Sequence, residues 1–72
     1  MINFTRGFVK AGDIFINPDQ IRTVSKTEDG KTMVQFDNLD YEYLKGENIK
    51  PHNLLTAAVK AQNQGGIIDV QV

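Results

Sequence analysis

The chain has no cysteine, no tryptophan and only two prolines. With no disulfide available, a domain of 72 residues holds together through an apolar core alone. A chain of this size buries only about 60% of the surface its unfolded form exposes, so that core is small and partner contacts are expected to add to stability. The lack of cysteine also fits a reducing compartment. Met1-Ile2-Asn3-Phe4-Thr5-Arg6 shows no basic segment followed by an apolar one and does not read as a signal peptide, so a cytoplasmic location is expected. No apolar run approaches the roughly 20 residues of a membrane span. Charge of one sign is missing too: eight basic residues are scattered among nine acidic ones, for a net charge of -1. That balance does not suggest a broad nucleic-acid footprint, and nucleic acid is not the expected partner. There is no repeat, low-complexity tract or shift in composition, so residues 1–72 are expected to form one domain.

What is present is a series of short β-patterned segments. Ile2, Phe4, Arg6 and Phe8 alternate with Asn3, Thr5, Gly7 and Val9, which predicts a half-buried strand over 2–9 with the first set on the core side. Lys10-Ala11-Gly12-Asp13 reads as a turn, and Ile14-Phe15-Ile16 as a short strand. Asn17-Pro18-Asp19 then forms a polar corner: Asn and Asp can cap local backbone groups, and Pro fixes φ near about -65° and removes a donor. The β-branched stretch 21–27 predicts the next strand. Asp29-Gly30 between two alternating runs predicts a hairpin with a type I′ turn, and 32–37 supplies the returning strand, with Val34 and Phe36 on one face. Asn38-Leu39-Asp40 interrupts it, and Tyr41 and Tyr43 lie opposite Asp40 and Glu42 on a further strand ending near Lys45-Gly46.

From Pro51 the period lengthens. Leu54, Leu55, Ala58, Val59 and Gln62 predict one face of a helix over 51–64, with Pro51 tolerated in the first turn and Gly65-Gly66 as its stop. Residues 67–72 alternate once more, which predicts a terminal strand after a glycine hinge. The expected fold is therefore α+β and mainly β: a small antiparallel sheet or SH3-like barrel of about five strands over 1–46, one C-terminal helix over 51–64, and a hinge with a possible terminal strand over 65–72.

This order of elements resembles the small flagellar FlbD family and its swarming-motility relatives. The resemblance covers residues 2–60. It rests on the opening Met1–Arg6, the Asn17-Pro18-Asp19-Gln20-Ile21 corner, the Asp29-Gly30 hairpin and a tyrosine-bearing strand leading into a short helix. It implies a small non-enzymatic accessory protein of motility and carries no site residues to transfer. The opening also resembles the CsrA family of RNA-binding regulators over residues 1–6, although that family's Gly-x-Ala-Pro segment and basic C-terminal strand have no counterpart here.

Candidate chemistry is sparse. His52 stands alone, and Glu47 and Asp69 are not at metal-ligand spacing from it, so a surface role at the helix start is expected. Thr23, Ser25 and Thr27 have no neighbouring activating base and read as strand residues. Asp37, Asp40 and Glu42 lack the loop pattern of a calcium site, and Gly65-Gly66 lacks the continuation of a phosphate loop. Phe4, Phe8, Phe15, Phe36, Tyr41 and Tyr43 are assigned to the core. No catalytic set, cofactor or metal is expected. The expected function is a non-enzymatic interaction module that self-associates through a sheet edge or its tail, with Ile68, Val70 and Val72 as the edge residues; the alternative is a nucleic-acid-binding small β-barrel regulator. Convergence of Arg6, Lys10, Arg22, Lys26 and Lys31 beside exposed aromatics would favour the alternative.

Overall fold

The computed structural model describes residues 7–70. The order is β1 (Gly7–Ala11), β2 (Ile14–Ile16), a 3-10 turn (Pro18–Gln20), β3 (Ile21–Lys26), β4 (Thr32–Phe36), β5 (Tyr41–Leu44), α1 (Pro51–Gln64) and β6 (Gly66–Val70). The strands form two three-stranded sheets, β2-β1-β6 and β3-β4-β5. The α+β, mainly β expectation holds; the barrel does not, because the sheet does not close. The topology supplies the reason. Both sides of β1 are occupied, by β2 antiparallel and by β6 parallel, so β5 has no free side of β1 on which to close.

Alternation places Val9 and Ala11 of β1 in the core, not Phe8, which is half-buried. The expected strand over 2–9 falls partly outside the described residues, and within them its core face is reversed. Lys10 and Ala11 belong to the strand, so the turn is tighter than expected and lies at Gly12-Asp13. The helix bounds are as predicted, but its buried face is rotated. Leu54, Ala57, Ala58 and Ala61 face the core, whereas Leu55, Val59 and Gln62 are exposed. Small residues on this face let α1 lie close to β1 and β6. At the tightest point, a Cβ on Gly7 would stand 2.6 Å from the Gly66 carbonyl oxygen and 2.7 Å from that of Ala61. Only glycine fits where β1, the end of α1 and the start of β6 meet.

The core also takes in Ile16, Val34, Leu44, Ile49 and Val70. Its one buried polar side chain among the described residues, Thr32, donates its hydroxyl to the Ile49 carbonyl at 2.6 Å, tying the loop before α1 to the second sheet. The Asn17 corner forms as its chemistry requires: the Asn17 side chain accepts from the Asp19 amide at 3.0 Å, and Pro18 is buried. Gln62 of α1 donates to the Asp19 carboxylate at 3.0 Å, joining the helix to this corner.

The β3–β4 hairpin is not a type I′ turn. The Gly30 amide donates to the Thr27 carbonyl at 3.1 Å, the Thr27 amide donates to the Lys31 carbonyl at 2.9 Å, and only Gly30 in the loop has positive φ, at 85°. This is a three-residue loop whose last residue is left-handed. The Thr27 hydroxyl donates to the Asp29 carboxylate and accepts from the Lys31 amide at 3.0 Å. That hydroxyl, with the nearby Lys31 ammonium adding to it, holds the Asp29 carboxyl below the usual aspartate range. The β4–β5 hairpin repeats the same backbone pattern: Leu39 donates to Phe36 and Phe36 donates to Asp40, both at 2.9 Å. Here the left-handed position is held by Leu39, at φ 71°.

Candidate interaction edge

The terminal strand exists and pairs within its own chain. After α1, Gly65 and Gly66 turn the backbone at φ 75° and 78°, and β6 runs parallel to β1 with Gly66 beside Gly7 and Val70 beside Ala11. Ile68 and Val70 point to the core, Val70 being 7% exposed, while Ile67 and Asp69 face outward. Val72, the third expected edge residue, lies outside the described residues. The apolar stripe is thus consumed largely by the chain's own fold, and what remains open is the strand's backbone edge. β6 pairs with β1 on one side and with no strand on the other among the described residues.

A groove of about 460 Å³ runs along that open side, between β6 and α1. Its helical wall is a stripe of His52, Thr56 and Lys60, spaced four residues apart and so stacked on one face, with Asn53 beside them. Asn53 donates to the Asn48 carbonyl at 2.8 Å, and Thr56 donates back to the His52 carbonyl at 2.9 Å. The floor is formed by Ile68, Asp69 and Val70. A strand added beside β6, at the usual spacing of about 4.8 Å, would lie over this groove with the polar helical stripe on one side and Ile68, Asp69 and Val70 on the other. The other edges are less receptive. β2 has three residues, β3 carries exposed Arg22 and Lys26, and β5 is four residues long with Glu42 at its centre. Short or charged edges of this kind resist strand addition, and β6, five residues long with exposed Asp69, differs from them chiefly in the groove beside it.

No family model, curated protein or solved structure matches this chain.

His52 is exposed at the second position of α1, where its helix-start placement was expected; that it walls a groove was not visible in the sequence. No group of three His, Cys, Asp or Glu able to hold a metal is found among the described residues. Thr23 and Thr27 have structural partners: the Thr23 hydroxyl meets Gln35 at 3.4 Å, and the Thr27 hydroxyl organises its hairpin. Ser25 lies half-buried on β3, opposite Met33. Asp40 accepts from the Asn38 side chain at 2.9 Å. The assignment of the aromatics to the core holds in part for Phe36, which packs against the core, and is corrected for Phe15, Tyr41 and Tyr43. Phe15, Tyr41 and Tyr43 are 55%, 51% and 57% exposed, Phe8 and Phe36 are half-buried, and Phe4 lies outside the described residues. The core is aliphatic because the close helix–sheet approach set by Gly7 and the alanines leaves little depth for rings.

Proposed function

We propose that this domain is a non-enzymatic interaction module that self-associates by strand addition at the open edge of β6, in the motility setting implied by its resemblance to the FlbD family. The observation that carries this reading is the β6 edge itself: a strand side unpaired among the described residues and bordered by a groove of about 460 Å³. A two-fold arrangement would set β6 against β6 of a second copy and extend β2-β1-β6 into a six-stranded sheet. Asp69, exposed next to the last described residue of the edge, guards against indiscriminate pairing.

The nucleic-acid reading has less support. Lys10 lies on the first sheet and Arg22 and Lys26 on the second, at opposite ends of β3, while Lys31 is paired with Asp29 at 3.4 Å. Arg6 lies outside the described residues.

Sedimentation of the full chain over a range of concentrations tests the proposal. We expect a concentration-dependent dimer that Thr56→Trp, filling the groove from an exposed helical position, reduces to monomer without lowering the melting temperature of the monomer. A chain that remains monomeric at every concentration, or a dimer unaffected by the tryptophan, overturns it.

A further inference from the structure

A second cavity, of about 300 Å³, lies away from the β6 edge, where the outer face of the first sheet meets the β4–β5 hairpin of the second. Aromatic residues line it from both sheets: Phe8 and Phe15 from the β1–β2 hairpin, and Phe36 and Tyr41 from the ends of β4 and β5, with Phe36 on the Val34 and Glu42 face and Tyr41 on the opposite, Gln35 face. Two carboxylates, Asp40 and Glu42, join them, with the polar Asn17, Gln20 and Asn38 and the apolar Ile16, and no described basic residue lines it. Lys10, the cross-strand neighbour of Phe15, is not among the lining residues.

The parts are held in place. Tyr41 receives a hydrogen bond from the Gln35 side chain to its phenolic oxygen at 3.2 Å, which holds its ring on the Gln35 face of the second sheet, opposite to Phe36 and Glu42. Asn38 brackets Asp40 twice: its side-chain nitrogen donates to the carboxylate at 2.9 Å, and its side-chain oxygen accepts from the Asp40 amide at 3.1 Å. The carboxylate keeps acceptor capacity beyond that one donor. An aromatic wall alone would suit any apolar group, and an acidic rim alone any solvated cation. Together they select a group that is apolar around its body and positive in charge, because the negative faces of the rings and the formal charges of the carboxylates attract the same ligand.

We infer that this cavity is a binding site for a cationic side chain, a lysine or arginine presented by a partner protein. Its volume of about 300 Å³ lies at the lower end of ligand cavities, with room for one long side chain and its water rather than for a large cofactor. The aliphatic stem lies along Phe8 and Phe36, and the charged head sits against Phe15 and toward Asp40 and Glu42. The site is separate from the β6 groove, which shares no lining residue with it, so either can fail without the other.

Titration of the isotope-labelled full chain, followed by amide shifts, tests this with three short peptides differing at one central position: lysine, arginine and norleucine. Free tetramethylammonium is the fourth probe. We expect shifts centred on Phe8, Phe15, Phe36 and Tyr41, with the norleucine peptide bound about tenfold more weakly than the better cationic one, the ratio that a cation–aromatic contact of modest strength produces. Phe15→Ala, at a position more than half exposed, should abolish the response while leaving the remaining amide spectrum in place. The double variant Asp40→Asn with Glu42→Gln should weaken it at unchanged stability, and Tyr43→Ala, outside the cavity, should not alter it. A response to tetramethylammonium as strong as to the peptides would assign the site to a small free cation and overturn the side-chain assignment. Equal binding of norleucine and the cationic peptides, shifts confined elsewhere, or binding indifferent to Phe15→Ala would overturn the site.

Discussion

The two sheets are built on opposite plans. The second, β3-β4-β5, is a run of consecutive antiparallel strands between residues 21 and 44, joined by two loops of the same backbone design. The first, β2-β1-β6, joins the hairpin at 7–16 to a strand that begins at residue 66, and that pairing is parallel. One sheet forms from neighbours in the sequence; the other exists only if its far strand arrives. Local sheets are specified by turns, and distant ones by the fit of surfaces at the point of closure. Here that point is Gly7, against Gly66 and the end of α1.

The largest effect follows from disturbing that closure. Gly7→Ala places a methyl carbon within 2.9 Å of three backbone atoms that cannot swing aside, and should cost about 3 kcal/mol in denaturant unfolding. Hydrogen exchange should rise in β6 and the last turn of α1 before it rises in β3 to β5; uniform loss across both sheets would contradict the division drawn between them. A smaller change touches the local sheet. Thr32→Val keeps the shape but removes the hydroxyl that donates to Ile49, and should cost about 1–2 kcal/mol by the same unfolding measurement. The smallest has the opposite sign. Leu39→Gly relieves a left-handed leucine in the second hairpin and should raise stability by about 0.5 kcal/mol, a gain reduced by the extra freedom glycine gives the unfolded chain. A loss of stability in this variant would mean that Leu39 contributes more through packing than its 57% exposure suggests.

The local sheet was largely legible. Alternation at Val34 and Phe36, the Asp29-Gly30 pair and the interruption at 38–40 each mark something that a few adjacent residues decide among themselves. The type of turn was less so, because Asp-Gly serves both the two-residue and the three-residue loop, and the Thr27 hydroxyl favours the latter by bonding both Asp29 and Lys31. For the distant sheet, the existence of a strand after the glycine pair was readable, and is seen at Gly66–Val70, but its partner was not, since alternation says that a strand has an apolar face and nothing about which edge receives it. The helix face misled for a related reason. Leu55 and Val59 attract attention by size, whereas the approach permitted by Gly7 selects Ala57, Ala58 and Ala61. The two cavities were illegible because each joins elements brought side by side only by the finished fold: α1 with β6, and the β1–β2 hairpin with the turn at 36–40.

The parallel pairing of β1 with β6 also sets a schedule for the nascent chain. About 60 residues separate the two strands, and a ribosome adding about 5–20 residues each second leaves roughly 3–12 seconds between their appearances. Through that interval the β1–β2 hairpin presents Val9, Ala11 and an unclaimed backbone edge, while β3 to β5 emerge and can pair with one another at once. The half-made protein is therefore a finished meander attached to an unfinished hairpin, and the sixth strand converts an exposed template for a neighbouring chain into the interior of a sheet.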